Sequence, residues 1–173
     1  GMKKYLLCLM ALCFLVVGSA SFAESEVNVT GAYQKHEYLL EKTLSFGGGT
    51  YKDLYTQAVV STDLLTKETA CFLIMEKLDT IVTIGTDELE ELLMMLPMLK
   101  DNIQNSVRGK TEYVYQTKSG VWVAIVMESG EPAFIFKLHP NDNTSSSTFD
   151  ISVLDELVEY LNEYAVFFRE ESK

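Results

Sequence analysis

Beyond its first 23 residues the chain has one cysteine, Cys71, two histidines, His36 and His139, and one tryptophan, Trp122. A lone cysteine closes no internal disulfide, so the fold has to hold by packing. Neither histidine lies near the other or near a cysteine in sequence, so no metal-ligand spacing is present. There is no Gly-x-Ser-x-Gly nucleophile elbow, and Gly47-Gly48-Gly49 therefore reads as a turn rather than an oxyanion-hole loop. Gly109-Lys110-Thr111 copies the tail of a phosphate-binding loop, but Gln104 stands where its first glycine belongs. A helix also precedes that stretch instead of following it, so no helix N-terminus faces it. Asn141-Asp142-Asn143 is oxygen-rich but lacks the glycine and bidentate glutamate of a calcium loop. No cofactor pattern remains. Cys71 with His36 or His139 is the one nucleophile-and-base pair on offer. Its neighbours Ala70, Phe72, Leu73, Ile74 and Met75 mark a buried strand, not an open electropositive site.

Long apolar runs are also scarce. The longest, Tyr5 to Val17, has 13 residues, and a spanning helix needs roughly 20. Lys3 and Lys4 precede the run, and Gly18 to Ala23 is rich in small residues. Ser21 and Ala23 take the −3 and −1 places of a cleavage site. Residues 2–23 are therefore expected to be a cleavable secretory signal, with Gly1 an expression scar ahead of Met2. Glu24 to Lys173 is then a single secreted or periplasmic domain, with no transmembrane segment. Those 150 residues carry 12 basic and 25 acidic side chains, a net charge of −13. Such a field repels phosphate backbones and anionic lipid, which excludes nucleic acid as a partner. It also keeps an exported protein soluble.

The periodicity predicts an α+β domain: an antiparallel sheet of six or seven strands with two amphipathic helices on its apolar face. From Tyr38, the even positions Tyr38, Leu40, Leu44 and Phe46 are apolar, but Lys42 interrupts them. Residues 36–44 read as a strand or a short helix. Strands are expected at 54–61, 69–77 and 80–84, rich in Val, Ile, Thr, Tyr and Phe. At Thr86 the spacing becomes helical, with Leu89, Leu92, Leu93 and Leu96 as a stripe and Asp87, Glu88, Glu90 and Glu91 turned away. Asp87 and Glu90 have capping-box spacing. Pro97 either kinks this helix or opens a second one running to Ser106. A last helix is expected from Asp150 to Arg169, its Leu154, Leu157, Val158, Leu161, Ala165 and Phe168 stripe widened by Tyr160, Tyr164 and Phe167. The strings Asp87-Glu88-Leu89-x-Glu91-x-Leu93 and Asp155-Glu156-Leu157-x-Glu159-x-Leu161 echo one another. With strands before each, they point to two strands-then-helix halves.

The most readable segment is a meander at 111–117, 121–128 and 132–138. A two-residue Ser129-Gly130 turn pairs Glu128 with Glu131 and aligns Val121, Val123, Ile125, Met127, Phe134, Phe136 and Leu138 on one face. A two-residue Ser119-Gly120 turn would add Glu112, Gln116 and Lys118 to that core face, at heavy desolvation cost. A three-residue Lys118-Ser119-Gly120 loop adds Tyr113, Tyr115 and Thr117 instead, and is expected. The opposite face then carries the rows Glu112–Val126–Ala133, Val114–Ala124–Ile135 and Gln116–Trp122–Lys137. A solvated face should alternate to polar residues. This one has an apolar centre of Val114, Trp122, Val126 and Ile135 within a polar rim, the pattern of a binding patch or of a face covered by other elements.

The stretches Gly85–Leu99 and Glu112–Gly120 resemble uncharacterised exported bacterial proteins. The resemblance rests on no chemical motif and implies export and no activity. The expected function is an exported, non-catalytic binding protein, meeting another protein or its own copy through the sheet face. The alternative is a small secreted hydrolase using dispersed carboxylates or Cys71 and a histidine. A nucleic-acid or chaperone-like module fits the strand-and-helix pattern but not the charge or the leader. N-terminal sequencing of the exported protein should begin at Glu24; a sequence still beginning at Met2 would remove the case for cleavage.

Overall fold

A computed structural model describes residues 30–46, 53–103, 108–128, 130–141 and 147–173. The expected signal segment, residues 24–29, the glycine turn at 47–49 and the end of the Pro97 helix option fall outside them. The fold is α+β, with eight strands and two helices among the described residues. Strands β1 (Gln34–Ser45), β2 (Asp53–Asp63), β3 (Thr69–Lys77) and β4 (Thr80–Gly85) form an antiparallel sheet in that order, followed by α1 (Thr86–Asp101). Strands β5 (Thr111–Gln116), β6 (Trp122–Glu128), β7 (Glu131–Lys137) and β8 (Ser147–Asp150) form a second antiparallel sheet, followed by α2 (Ser152–Glu171). The strands divide between two sheets of four, where one sheet of six or seven was expected. The added strand is β8, which the polar composition of the 139–147 loop and the helical pattern from Asp150 concealed.

β1 is a strand throughout, and its irregular pattern has a physical cause. Its pairing with β2 slips by one residue between Leu39 and Lys42, and Leu40 sits there at φ +48. A bulge of this kind resets which face each following residue takes. Leu39 and Leu44 therefore both pack against the core, although their numbers differ in parity, while Tyr38 and Leu40 are exposed. The expected even-numbered face does not form. Lys42 stands on the core side, and its ammonium reaches Glu163 and lies 5.3 Å from the centre of the Tyr160 ring.

α1 carries Leu89, Leu92, Leu96 and Leu99 buried along one stripe, and continues through Pro97 to Asp101. Its N-cap is Gly85 with no side-chain cap, so the expected Asp87 capping box is not formed. Nor does every first-turn acid face solvent. Glu88 is buried, accepting bonds from Ser119 Oγ at 2.6 Å and Ser119 N at 3.3 Å, and so ties α1 to the loop before β6. The helices run antiparallel, since Glu90 near the start of α1 pairs with Arg169 near the end of α2, and Lys100 pairs with Asp155. These exposed pairs contribute about 0–1 kcal/mol each. Apolar burial contributes more, at roughly 1.5–3 kcal/mol for a fully buried large side chain. One contiguous core joins both helices to Leu54, Ala58, Val60, Leu73, Met75 and Ile84 of the first sheet and Val123, Ile125, Phe134 and Phe136 of the second.

A chain of hydroxyls anchors α2 to the first sheet. Tyr160 bonds Thr56, Thr56 lies 2.6 Å from the Tyr164 hydroxyl, and Tyr164 donates to the Leu40 carbonyl at 2.8 Å. Each hydroxyl has one proton, and the Thr56 hydroxyl also reaches the Lys42 carbonyl at 3.2 Å, so the cluster meets β1 at two carbonyls. The bulge carbonyl is satisfied by a helix from the other half of the chain. Tyr164→Phe should cost about 1–3 kcal/mol by leaving the Leu40 carbonyl without its donor, read as a lower Tm. Burial raises both phenols above their ordinary value of 10. The unfolded chain therefore loses these protons first, so their contribution is full below about pH 10 and declines above it. Alkaline unfolding should be steeper in the native protein than in a Tyr160→Phe, Tyr164→Phe double variant.

Candidate interaction surface

The second sheet has the expected register. Thr117 N donates to Val121 O at 2.9 Å around a three-residue loop, with Gly120 at φ +100. A side chain on Gly120 would meet His139 Cδ2 at 3.4 Å and Pro140 Cδ at 3.5 Å, besides needing that left-handed backbone. Glu128 pairs with Glu131, with Gly130 at φ +84. The inner face is built from Tyr113, Ile125, Phe134 and Phe149 in one row and Tyr115, Val123 and Phe136 in the next. The outer face holds the three rows derived from the sequence, extended by Asp150 beside Ala133 and Thr148 beside Ile135.

The four candidate residues share that outer face but not one environment. Val114 on β5 is 45% exposed, while Trp122 and Ile135 are half-buried and Val126 is 6% exposed. Ala124, between Val114 and Ile135, has no exposed surface. The face is thus closed at its centre and open toward the β5 side. Lys137 Nζ lies 4.6 Å from the Trp122 ring centre, so the ring is capped by a cation from the adjacent strand.

The opening continues around β5 to α1. Tyr113, from the inner face, and Val114, from the outer, line one groove of about 260 Å³ with Met95, Met98, Leu99 and Asn102. A groove with walls from both faces of a strand lies at that strand's edge. Among the described residues, β5 is an edge strand, with β6 on one side only. Met98 of its lining is 45% exposed, and Met94, one turn earlier on α1, is 60% exposed. Methionine side chains on a surface adapt to varied apolar partners. The sequence held a signal for this site: Met94, Met95 and Met98 are apolar but lie off the leucine stripe of α1.

The reactive side chains are placed differently. Cys71 pairs with Val60, whose side chain belongs to the core, and is buried. Burial pushes its thiol upward, and the groups acting on it are Ser172 and Glu171. His36 pairs with Ser61. Ser61 pairs with Ala70, one residue from Cys71, so His36 and Cys71 project to opposite faces of the sheet. Burial lowers the His36 imidazole below its usual value. A polar depression of about 110 Å³ is lined by Gln34, Ser61, Thr66, Thr69, Ala70 and two carboxylates, Asp63 and Glu68. Asp63 there is committed to its own turn, accepting from Leu65 N at 2.8 Å and Thr66 N at 3.0 Å. Among the described residues no group of three or more His, Cys, Asp or Glu side chains could hold a metal ion, and no helix is long and apolar enough to cross a membrane.

No protein-family model, curated protein or solved structure matches the chain. Because Trp122 is the only tryptophan, its fluorescence reports the outer face alone. Replacing Lys137 with alanine should uncap the ring and increase acrylamide quenching. The stability change should stay within about 0.5–1 kcal/mol, the range of an exposed cation–π contact.

Proposed function

We propose that this is an exported, non-catalytic binding protein that meets a protein partner through the β5 side of its second sheet. The observation that carries this reading is the apolar groove at the β5 edge, where Val114 and Met98 are exposed together. Isolated apolar residues on a surface need no explanation, but a group of them bordering an unpaired strand edge is a docking feature. Trp122, Ile135 and Val126 back this border from the outer face and hold its shape. Export follows from the leader pattern of residues 2–23, with release after Ala23 into the periplasm or the exterior. The charge of −13 fits an exported protein that has to stay soluble. A Cys71–His36 hydrolase finds no support, because the two side chains project to opposite sheet faces.

The test is a paired substitution, Val114→Lys with Met98→Lys. Both sites are exposed, so folding stability should move by no more than about 0.5 kcal/mol per site, checked by thermal melting. Binding to partners recovered from envelope and extracellular fractions should be lost. A doubly substituted protein that keeps every partner of the native one would end this reading.

A further inference from the structure

We propose that Met98 is an oxidation site, and that its sulfoxide turns the β5 groove from a surface that accepts an apolar partner into one that refuses it. This regulation rests on the groove being the interaction surface. Five methionines follow residue 23. Met75 and Met127 are buried, whereas Met94, Met95 and Met98 lie together near the end of α1. Met94 and Met98 are exposed, and Met95 is half-buried. Of these three, Met95 and Met98 line the groove and Met94 does not. Met98 therefore combines the two properties that such a switch needs. An oxidant reaches it from solvent, and it belongs to the wall that a partner covers. Met94 has only the first property.

Thiol chemistry does not compete. Cys71 is the one cysteine past the leader, and it is buried. Burial pushes its thiol upward, so little thiolate is present to react. A thioether needs no ionisation. Its sulfur lone pair attacks one oxygen of hydrogen peroxide, and the S–O bond forms as the O–O bond breaks. The proton on the transferred oxygen passes to the departing hydroxide, which leaves as water. Sulfur is oxidised by two electrons and the peroxide is reduced by two. The product is a polar, chiral side chain where a flexible apolar one stood.

In the free protein the new oxygen is hydrated, because Met98 is exposed. An apolar partner laid in the groove strips that water. Donor side chains in the lining are limited to Tyr113 and Asn102, and the Asn102 amide nitrogen already donates to the Met98 main-chain carbonyl at 2.7 Å. A covered acceptor short of donors weakens binding by about tenfold. Methionine sulfoxide reductases reverse the change, one enzyme for each epimer, so the groove can be reopened.

The test uses the purified protein in the form the cell accumulates, with the neutral dye Nile red as the apolar probe. Dilute hydrogen peroxide is added, and peptide mass spectrometry follows oxygen uptake at each methionine. Met94 and Met98 should be oxidised well before Met75 and Met127, with Tm held. Dye affinity should fall about tenfold, in step with the sulfoxide content of Met98 and not with that of Met94 or Met95. Both epimer-specific reductases together should restore it. Met98→Leu conserves apolar volume, and its affinity, whatever the starting value, should not fall on oxidation. Met94→Leu should keep the native response. If Met98→Leu binds no dye, the time course decides. The switch is overturned if Met98 resists peroxide as long as Met75 does, or if Tm falls in parallel with affinity. It is equally overturned if Met98→Leu still responds or Met94→Leu does not. Dye binding that is unchanged by oxidation but abolished by Val114→Lys with Met98→Lys removes the switch and leaves the binding reading standing. A native protein that takes up no dye, or whose dye binding survives that double substitution, removes both.

Discussion

The hydroxyl chain from Tyr160 through Thr56 and Tyr164 to the Leu40 carbonyl holds the two halves of this protein in one arrangement. Tyr160 and Tyr164 belong to the last helix, while Thr56 and Leu40 belong to the first two strands. Apolar burial would hold a helix on a sheet at many angles, because it is non-directional. A buried oxygen left without a partner would cost about 1–3 kcal/mol, so the hydroxyls select one seating of α2. That seating also explains how a twelve-residue strand keeps a bulge with a leucine in the left-handed region. The bulge carbonyl has a fixed donor from outside its own sheet.

The interlock runs both ways. α2, from the second half, is bonded to the first sheet, while Glu88 of α1, from the first half, is bonded to Ser119 of the second. Neither half keeps its polar anchors without the other, and a single apolar cluster spans both. The exposed ion pairs between the helices add register and little energy. On the outer face of the second sheet, exposure of the apolar residues is greatest at Val114 on β5.

Chemistry is separated by the same architecture. The strand period of two sends Cys71 into the core and His36 to the opposite face, although the two strands lie in one sheet. A nucleophile-and-base pairing that composition alone permits is thereby removed by parity. What the architecture gathers instead is largely apolar: methionines from a helix, and a valine and a tyrosine from a strand at the edge of the described sheet.

Much of this was legible in the sequence, for reasons that are local. Alternation and turn chemistry set the meander's register, because a slip by one residue would have buried Glu112 and Gln116. Gly120 and Gly130 confirmed it, each at a positive φ that its turn requires. The α+β class, the strands-then-helix halves and the outer rows containing Val114, Trp122, Val126 and Ile135 followed from the same short-range rules. Other features depended on partners distant in the chain. The bulge at Leu40 is held by a tyrosine 124 residues away, so no local pattern could place it. β8 is too short and polar to be seen without β7 beside it. Glu88 looked like a surface acid until Ser119 was brought against it. The sequence by itself determined which residues could share a face, since that depends only on the periods of helix and strand. Tertiary structure alone decided which faces met, because that follows from contacts that no local period encodes.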